Sequence, residues 1–315
     1  MGIDLNDYQT TLKSRVALSG SGVHSGKAVS ICLLPADPDT GIVFNIIDEN
    51  SSREICALVS EIGATDLCTV LGDPSGRHVG TVEHIMAALF GLGIDNAVVE
   101  IEGNEVPILD GSSGHFVEAI DLVGIETQPV KRRYIRVLKP VRIEGGASWA
   151  EFRPYDGTRF EVEIDFESPV VGRQSFASDI TPAIFRRDIA RARTFGFMKD
   201  VERLWAGGFA LGSSLENTVV IGDDNRVINM EGLRFKDEFV RHKTLDAMGD
   251  LALAGARFIG CFRSYRGGHR LNAAALRHLL SDRSAFEIVE TNRRERGRSA
   301  EMIAVNAAVY APWML

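Results

Sequence analysis

Over the first 60 or so residues apolar positions alternate with polar ones: in ValAlaLeu ahead of the GSGVHSG turn, in AVSICLLP and in GIVFNII, with Gly, Pro and Asp between the runs. A period of two puts one face of each run on a core, so this region reads as antiparallel sheet. The period then lengthens. Over 81–92 apolar side chains recur at helical spacing with Thr81 placed to cap, AVVEIEG returns to a strand, and 115–123 reads as a second helix. The stretch 126–133 (ETQPVKRR) turns polar and basic around a proline and is the best domain boundary, giving an N-terminal domain over 1–128 and a C-terminal domain over 129–315.

The second half repeats the order of strands first and helix later through YIRVLKPVRIEGG, SWAEFRPY and RFEVEIDF, a hint of duplication that rests on element order alone. A segment rich in Phe, Gly, Trp and Leu over 192–214 reads as an apolar insertion, centred near 194–217, ahead of the strand NTVVIG. It is a candidate pocket lining. Residues 237–254 have the length and period of a long helix, and ARFIGCFRSY reads as a strand ending in the turn RGGH. The end, 286–315 with its NRRERGR run, reads as a surface or flexible terminus closing on apolar APWML. Strands and helices in blocks make the class α+β.

Composition changes this picture little. With 315 residues, 45% hydrophobic and 25% charged, the chain is an ordinary globular protein long enough for two cores. Thirty-five Lys and Arg against 43 Asp and Glu leave a net charge of −8, which argues against nucleic-acid binding by phosphate neutralisation but allows a small anion in a local basic pocket. The start, MGIDLNDYQTTLK, resembles neither a signal peptide nor a presequence, and no run approaches the ~18 apolar residues of a membrane span, so a cytoplasmic protein is expected. Cys32, Cys56, Cys68 and Cys261 form no CxxC, so no disulfide framework or thiolate zinc site is expected. Each reads as a small buried hydrophobe, with Cys68 a neighbour of a site at most.

Three places carry candidate chemistry. In DEFVRHKTLDAMGDLALAG, His242, Asp246 and Asp250 fall at i, i+4 and i+8 on one helix face. Imidazole and carboxylate are good first-row metal ligands, and an i,i+4 pair aims two of them at one point. An isolated HxxxD is ordinarily a solvated surface pair; here Phe239, Leu245, Met248 and Leu251 flank it and indicate a buried helix. In TVEHIMAAL, Glu83 and His84 stand side by side at the start of an otherwise apolar helix, where a buried acid and imidazole require a reason. With His84 on a metal, Glu83 would be placed as general base for a water; the chain lacks HExxH, which disfavours that peptidase class. The third place is His269 in YRGGHRLN, in a glycine-rich turn at a strand end, with Asp250 able to hold it cationic. His24, His78, His115 and His278 have weaker contexts.

The strings GVHSG, GTVEHIMAAL, EVPILDGSS, ARTFGF, GLRFKDEFVRHKTLDAMGDL and GGHRLN, in this order from about residue 20 to about residue 275, together resemble the bacterial UDP-3-O-acyl-N-acetylglucosamine deacetylases, the LpxC family of lipid A synthesis. The resemblance implies two α+β domains, each a sheet with two helices, their helical layers packed face to face around the site. It implies a Zn²⁺ ion, or Fe²⁺, on His84, His242 and Asp246, with Glu83 as general base and His269 as cationic stabiliser or general acid supported by Asp250. Thr194 would donate to the developing oxyanion and Lys243 would place a positive charge beside it. Phe166 and Arg266 would meet the uridine diphosphate, and the apolar insertion, with Phe195, Met198 and Leu211 among its members, would line a passage for the acyl chain. The implied partner is a UDP-linked acylated amino sugar, with neither nucleic acid nor lasting membrane attachment, and the expected state is a monomer. Two rival readings are a UDP-sugar binder without turnover, disfavoured by the complete catalytic set, and a metal hydrolase of another amide lacking the acyl passage.

Overall fold

The computed structural model describes residues 8–48 and 51–290. Six helices and five sheets among these residues make a mixed architecture in keeping with α+β. The helices are α1 (Glu83–Leu92), α2 (Gly114–Val123), α3 (Pro182–Ile184, continued by a wider turn over Phe185–Ile189), α4 (Val201–Ala206), α5 (Glu238–Ala252) and α6 (His269–Ser281). None is long and apolar enough to cross a membrane.

The predicted alternation becomes sheet. One five-stranded sheet runs Val16–Ser21, Ala28–Pro35, Ala97–Glu102, Ile42–Asp48, Ser51–Cys56, and in Ala28–Pro35 every second side chain from Val29 to Leu33 is buried. A seven-stranded sheet is built around Arg257–Tyr265, which pairs with Arg133–Val137, Ser148–Arg153 and Thr158–Asp165. Thr158–Asp165 alternates from end to end, with Phe160, Val162 and Ile164 facing the core. Every strand of the first sheet precedes residue 103 and every strand of the second follows residue 132.

Helices α1 and α5 pack against each other, and α5 also packs on Thr158–Asp165 and Arg173–Asp179. All ten residues of α1 are buried, so its polar pair Glu83 and His84 is held in the interior by the helix itself. The glycine at position 249 makes the contact close: a Cβ placed there would stand 1.9 Å from the Glu83 carbonyl oxygen. Gly249→Ala is therefore expected to force α1 and α5 apart, at a cost of at least ~1–3 kcal/mol. Urea unfolding should show a lowered midpoint, accompanied by lost activity because Glu83 moves with its backbone.

Several sequence expectations need correction. Thr81 does not cap α1: its φ is 57°, its hydroxyl donates to Glu105 Oε1 at 2.9 Å, and the helix starts at Glu83 behind Val82. The polar stretch chosen as domain boundary is no loop, because Ile125–Lys131 is a strand paired with Tyr8–Leu12, so position 128 falls inside regular structure. The supposed loose terminus begins with a strand, Phe286–Glu290, added antiparallel to Arg133–Val137; the rest of it, 291–315, lies outside the described residues. Cys56 is exposed rather than a core hydrophobe, Cys32 is half-buried, and Cys68 and Cys261 are buried as expected.

Candidate active site

Three elements bring the predicted residues together. The start of α1 supplies Glu83 and His84, the middle of α5 supplies His242, Asp246 and Asp250, and the start of α6 supplies His269. His84, His242 and Asp246 are all buried and offer ligand atoms within 4.8 Å of one another. The two imidazoles meet edge to face, centroids 5.0 Å apart.

The donor set fits a cation. His242 Nδ1 donates to the Ala192 carbonyl at 3.0 Å, which leaves its Nε2 lone pair turned toward Asp246 Oδ1, 3.2 Å away. His84 Nε2 lies 3.6 Å from the same oxygen, and Oδ1 is a buried atom with no hydrogen-bond partner. Lone pairs converging on an orphaned carboxylate oxygen are costly without a positive charge among them. Burial holds His242 down to about 3, so it stays neutral and able to ligate. Burial would raise Asp246, but its basic neighbours, with the Lys243 ammonium in direct contact, outweigh it and hold the carboxyl well below its ordinary value. Lys243 Nζ donates to the other oxygen, Oδ2, at 2.8 Å, so the ammonium is already engaged by Asp246.

Two further ionisable groups flank the cluster. Burial raises the Glu83 carboxyl above its ordinary value, opposed by His269 and His84; Oε2 accepts from the Thr69 amide at 3.0 Å and Oε1 lies 3.9 Å from His269 Nε2. His269 donates from Nδ1 to Asp250 Oδ2 at 3.0 Å. Burial opposes its charge, yet Asp250 and then Glu83 raise it to about 10. Asp250 is fixed in turn by the Thr69 hydroxyl at 2.6 Å and by Asn272 Nδ2 at 2.8 Å. The result is a buried cation on one side of Glu83 and a ligand cluster on the other.

Thr194 follows two residues after Ala192, whose carbonyl accepts from His242, and is held through its backbone: its N–H donates to Gly111 O at 2.8 Å, and its carbonyl accepts from Val219 N at 2.8 Å. Phe195 follows it and links the site to an aromatic cluster, with its centroid 6.4 Å from His242, 4.9 Å from Phe239 and 5.6 Å from Phe166. Arg266 joins Phe166 at one sheet end, its Nε donating to Asp165 O at 3.1 Å. Met198 and Leu211, by contrast, are 43% and 52% exposed, as is Trp205 at 55%. These three side chains of the insertion therefore lie on an open apolar surface, and the segment after α4 is tied to the loop around His24. There Leu211 N and Gly212 N donate to the carbonyls of His24 and Val23, and Phe209 packs on the His24 ring at 5.4 Å.

Sequence reasoning passed over four contributors. His24 lies within the electrostatic reach of His269 and His84, and burial together with those charges lowers its pKa, against Glu105. Glu105 grips that loop through the His24 and Ser25 amides, both at 2.9 Å, and bonds Thr81 just ahead of Glu83. Thr69 ties Glu83 to Asp250. Arg193, fully buried, donates from Nε to Glu238 Oε1 at 2.9 Å and so locks the segment bearing Ala192 and Thr194 onto the first turn of α5. The signal available for the first was the histidine flanked by glycines in GVHSG; the others depend on partners far away in the chain.

A sequence profile of the family described as LpxC, UDP-3-O-acyl N-acetylglycosamine deacetylase, matches residues 9–281. The chain belongs to the LpxC family. Proteins from Brucella ovis, Brucella canis and Brucella melitensis, each named UDP-3-O-acyl-N-acetylglucosamine deacetylase, are 66% identical to it over 286 residues, covering 91% of this chain and 100% of each relative. The match to the LpxC profile takes in every residue of the cluster, from Glu83 to His269.

Proposed function

We propose that this chain is a zinc-dependent deacetylase that hydrolyses the N-acetyl group of UDP-3-O-(3-hydroxyacyl)-N-acetylglucosamine, giving the free glucosamine amine and acetate, an early committed step of lipid A synthesis in the cytoplasm. The observation that carries this reading is the buried convergence of His84, His242 and Asp246 between Glu83 and His269, in a chain of this family. His84, His242 and Asp246 would hold Zn²⁺, or Fe²⁺, leaving a coordination position open. The ion supplies Lewis acidity toward the acetyl carbonyl and makes water more acidic.

The chain's own groups do the rest. Glu83, with its carboxyl raised by burial, takes a proton from the attacking water. His269, held cationic by Asp250, faces the developing oxyanion and stands near the amine that must be protonated. Thr194, fixed through its backbone just ahead of the strand Phe195–Phe197, would offer its hydroxyl to the oxyanion, and Lys243 adds positive charge through Asp246. Phe166 and Arg266 at the neighbouring sheet end would meet the uridine diphosphate, while Phe195, Met198 and Leu211 would border the acyl chain. A division into an N-terminal and a C-terminal half, expected at 1–128 and 129–315 but better placed after the strand Ile125–Lys131, with helical layers facing each other, is supported by the contact of α1 with α5 and by two sheets drawn from separate halves.

Mass spectrometry of products from the acylated and unacylated UDP-N-acetylglucosamines tests the substrate. Loss of an acetyl group, with the acylated compound far the better substrate, is expected; equal turnover of both, or binding without acetate release, contradicts the reading. A pH profile tests His269. A histidine needed as a cation is active below its pKa and inactive above it, so activity should fall as pH rises through about 10. Asp250→Asn removes the largest charge that holds the proton, and the alkaline limb should move by more than one unit toward the ordinary histidine value of ~6.5.

A further inference from the structure

A cavity of about 440 Å³ opens where α1 and α5 end, and its lining includes none of the cluster residues. Its wall is apolar, from Met86, Leu89, Phe90, Ile135 and Leu280, and the exposed Cys56 stands at its lining. Three guanidinium groups and two carboxylates also line it. Arg132 is paired with Asp95 at 2.6 Å and Arg133 with Asp39 at 2.8 Å, which leaves Arg257. Among the described residues Arg257 has no carboxylate within ion-pair distance; its one side-chain hydrogen bond runs from Nη1 to the Phe90 carbonyl at the end of α1, and its guanidinium lies 4.5 Å from the Phe90 ring. A guanidinium carries five N–H donors and a full charge, so one carbonyl neither saturates it nor neutralises it. Burial and then the adjoining Arg132 draw Arg257 down to about 10, against the smaller pull of Tyr134 and Asp95.

We propose that this cavity is a second ligand site, which takes a small carboxylate with an apolar body, of the fatty-acid class, its carboxylate on Arg257 and its tail against Met86, Leu89 and Leu280. The volume falls within the ~300–1,000 Å³ of small-molecule sites. One unmatched positive charge calls for one negative charge, and the wall calls for a tail instead of a sugar or a nucleotide. The site adjoins the chemistry through α1, along which Phe90 is about 10 Å from Glu83 at ~1.5 Å per residue. The inference stands independently of the deacetylase reading.

Cys56 supplies the readout. Its alkylation by a thiol reagent, followed by peptide mass spectrometry on the full chain, is measured with octanoate, with uncharged octanol and with inorganic phosphate. Octanoate should protect saturably, slowing alkylation about 10-fold at ~10 times its dissociation constant. Octanol and phosphate should not protect. Arg257→Met should abolish protection, and so should Ala254→Trp, which fills the cavity and keeps the guanidinium; urea unfolding reports whether each variant is folded. Equal protection by octanol, protection undiminished in Arg257→Met, or no protection by octanoate would each overturn the proposal. Octanoate that enters only the acyl region of the deacetylase site inhibits turnover and leaves Cys56 alkylation unchanged, which is also a contrary result. The octanoate and octanol comparison decides on the unmodified protein even where a variant does not fold.

Discussion

Glu83→Gln is expected to lower acetate release by about 10²–10⁴-fold with metal content unchanged. Glutamine keeps the size of the side chain and can still accept the Thr69 amide that holds Oε2 at 3.0 Å, so the backbone of α1 and the position of His84 stay as they are. What it loses is basicity. The carboxyl is 3% exposed, faces the cationic His269 across 3.9 Å, and is raised by burial, which brings a carboxylate nearer to the pH at which it must accept a proton. The fall should appear in kcat with KM little changed, since no contact with bound substrate is removed. A variant that loses its metal, or whose defect lies in KM alone, would show that Glu83 acts on structure or binding and not as the base.

Arg193→Leu should cost about 3–5 kcal/mol of folding stability, because it leaves the Glu238 carboxylate buried without its partner. Arg193 is 1% exposed and Glu238 fully buried. Beyond Glu238, the guanidinium bonds Glu231 Oε1 and the Gly232 carbonyl, both at 2.7 Å, so one side chain joins the strand start, the loop before α5 and the first turn of α5. The consequence reaches the site by a short path. Ala192, whose carbonyl orients His242, and Thr194 are its two chain neighbours. Urea unfolding should show the lowered midpoint, and the double variant Arg193→Leu, Glu238→Leu should recover most of the loss by removing the stranded charge. A double variant no more stable than the single one would locate the cost in packing instead.

The long-range part of the site is where sequence reading stopped. The pair His242 and Asp246 was legible because helical geometry alone brings i and i+4 together, and the adjacency of Glu83 and His84 in an apolar run was legible because burial of both demands a partner. The grip of Thr69 on Asp250 joins residues 181 positions apart, and nothing local to Thr69 announces it. Thr81 was misread for a related reason: as a threonine ahead of a helix it suits a cap, but Glu105 captures its hydroxyl and its backbone turns left-handed. In the fold, alternation identified strands wherever one face is buried, as in Thr158–Asp165. It failed at Phe286–Glu290, where the pattern is irregular and the strand exists through its pairing with Arg133–Val137, some 150 residues earlier. The apolar insertion was found by composition, but composition does not distinguish a buried wall from an open one, and Met198, Trp205 and Leu211 lie on the open side.

The most direct test of the central claim is acetate release from UDP-3-O-acyl-N-acetylglucosamine by protein stripped of metal and then given one equivalent of Zn²⁺, with His242→Ala alongside. The account predicts no turnover in the stripped protein, recovery in the parent at one equivalent, and none in the variant, in which Asp246 Oδ1 and His84 Nε2 remain but the donor set is broken. Turnover that persists without metal, or that returns equally in His242→Ala, would contradict it.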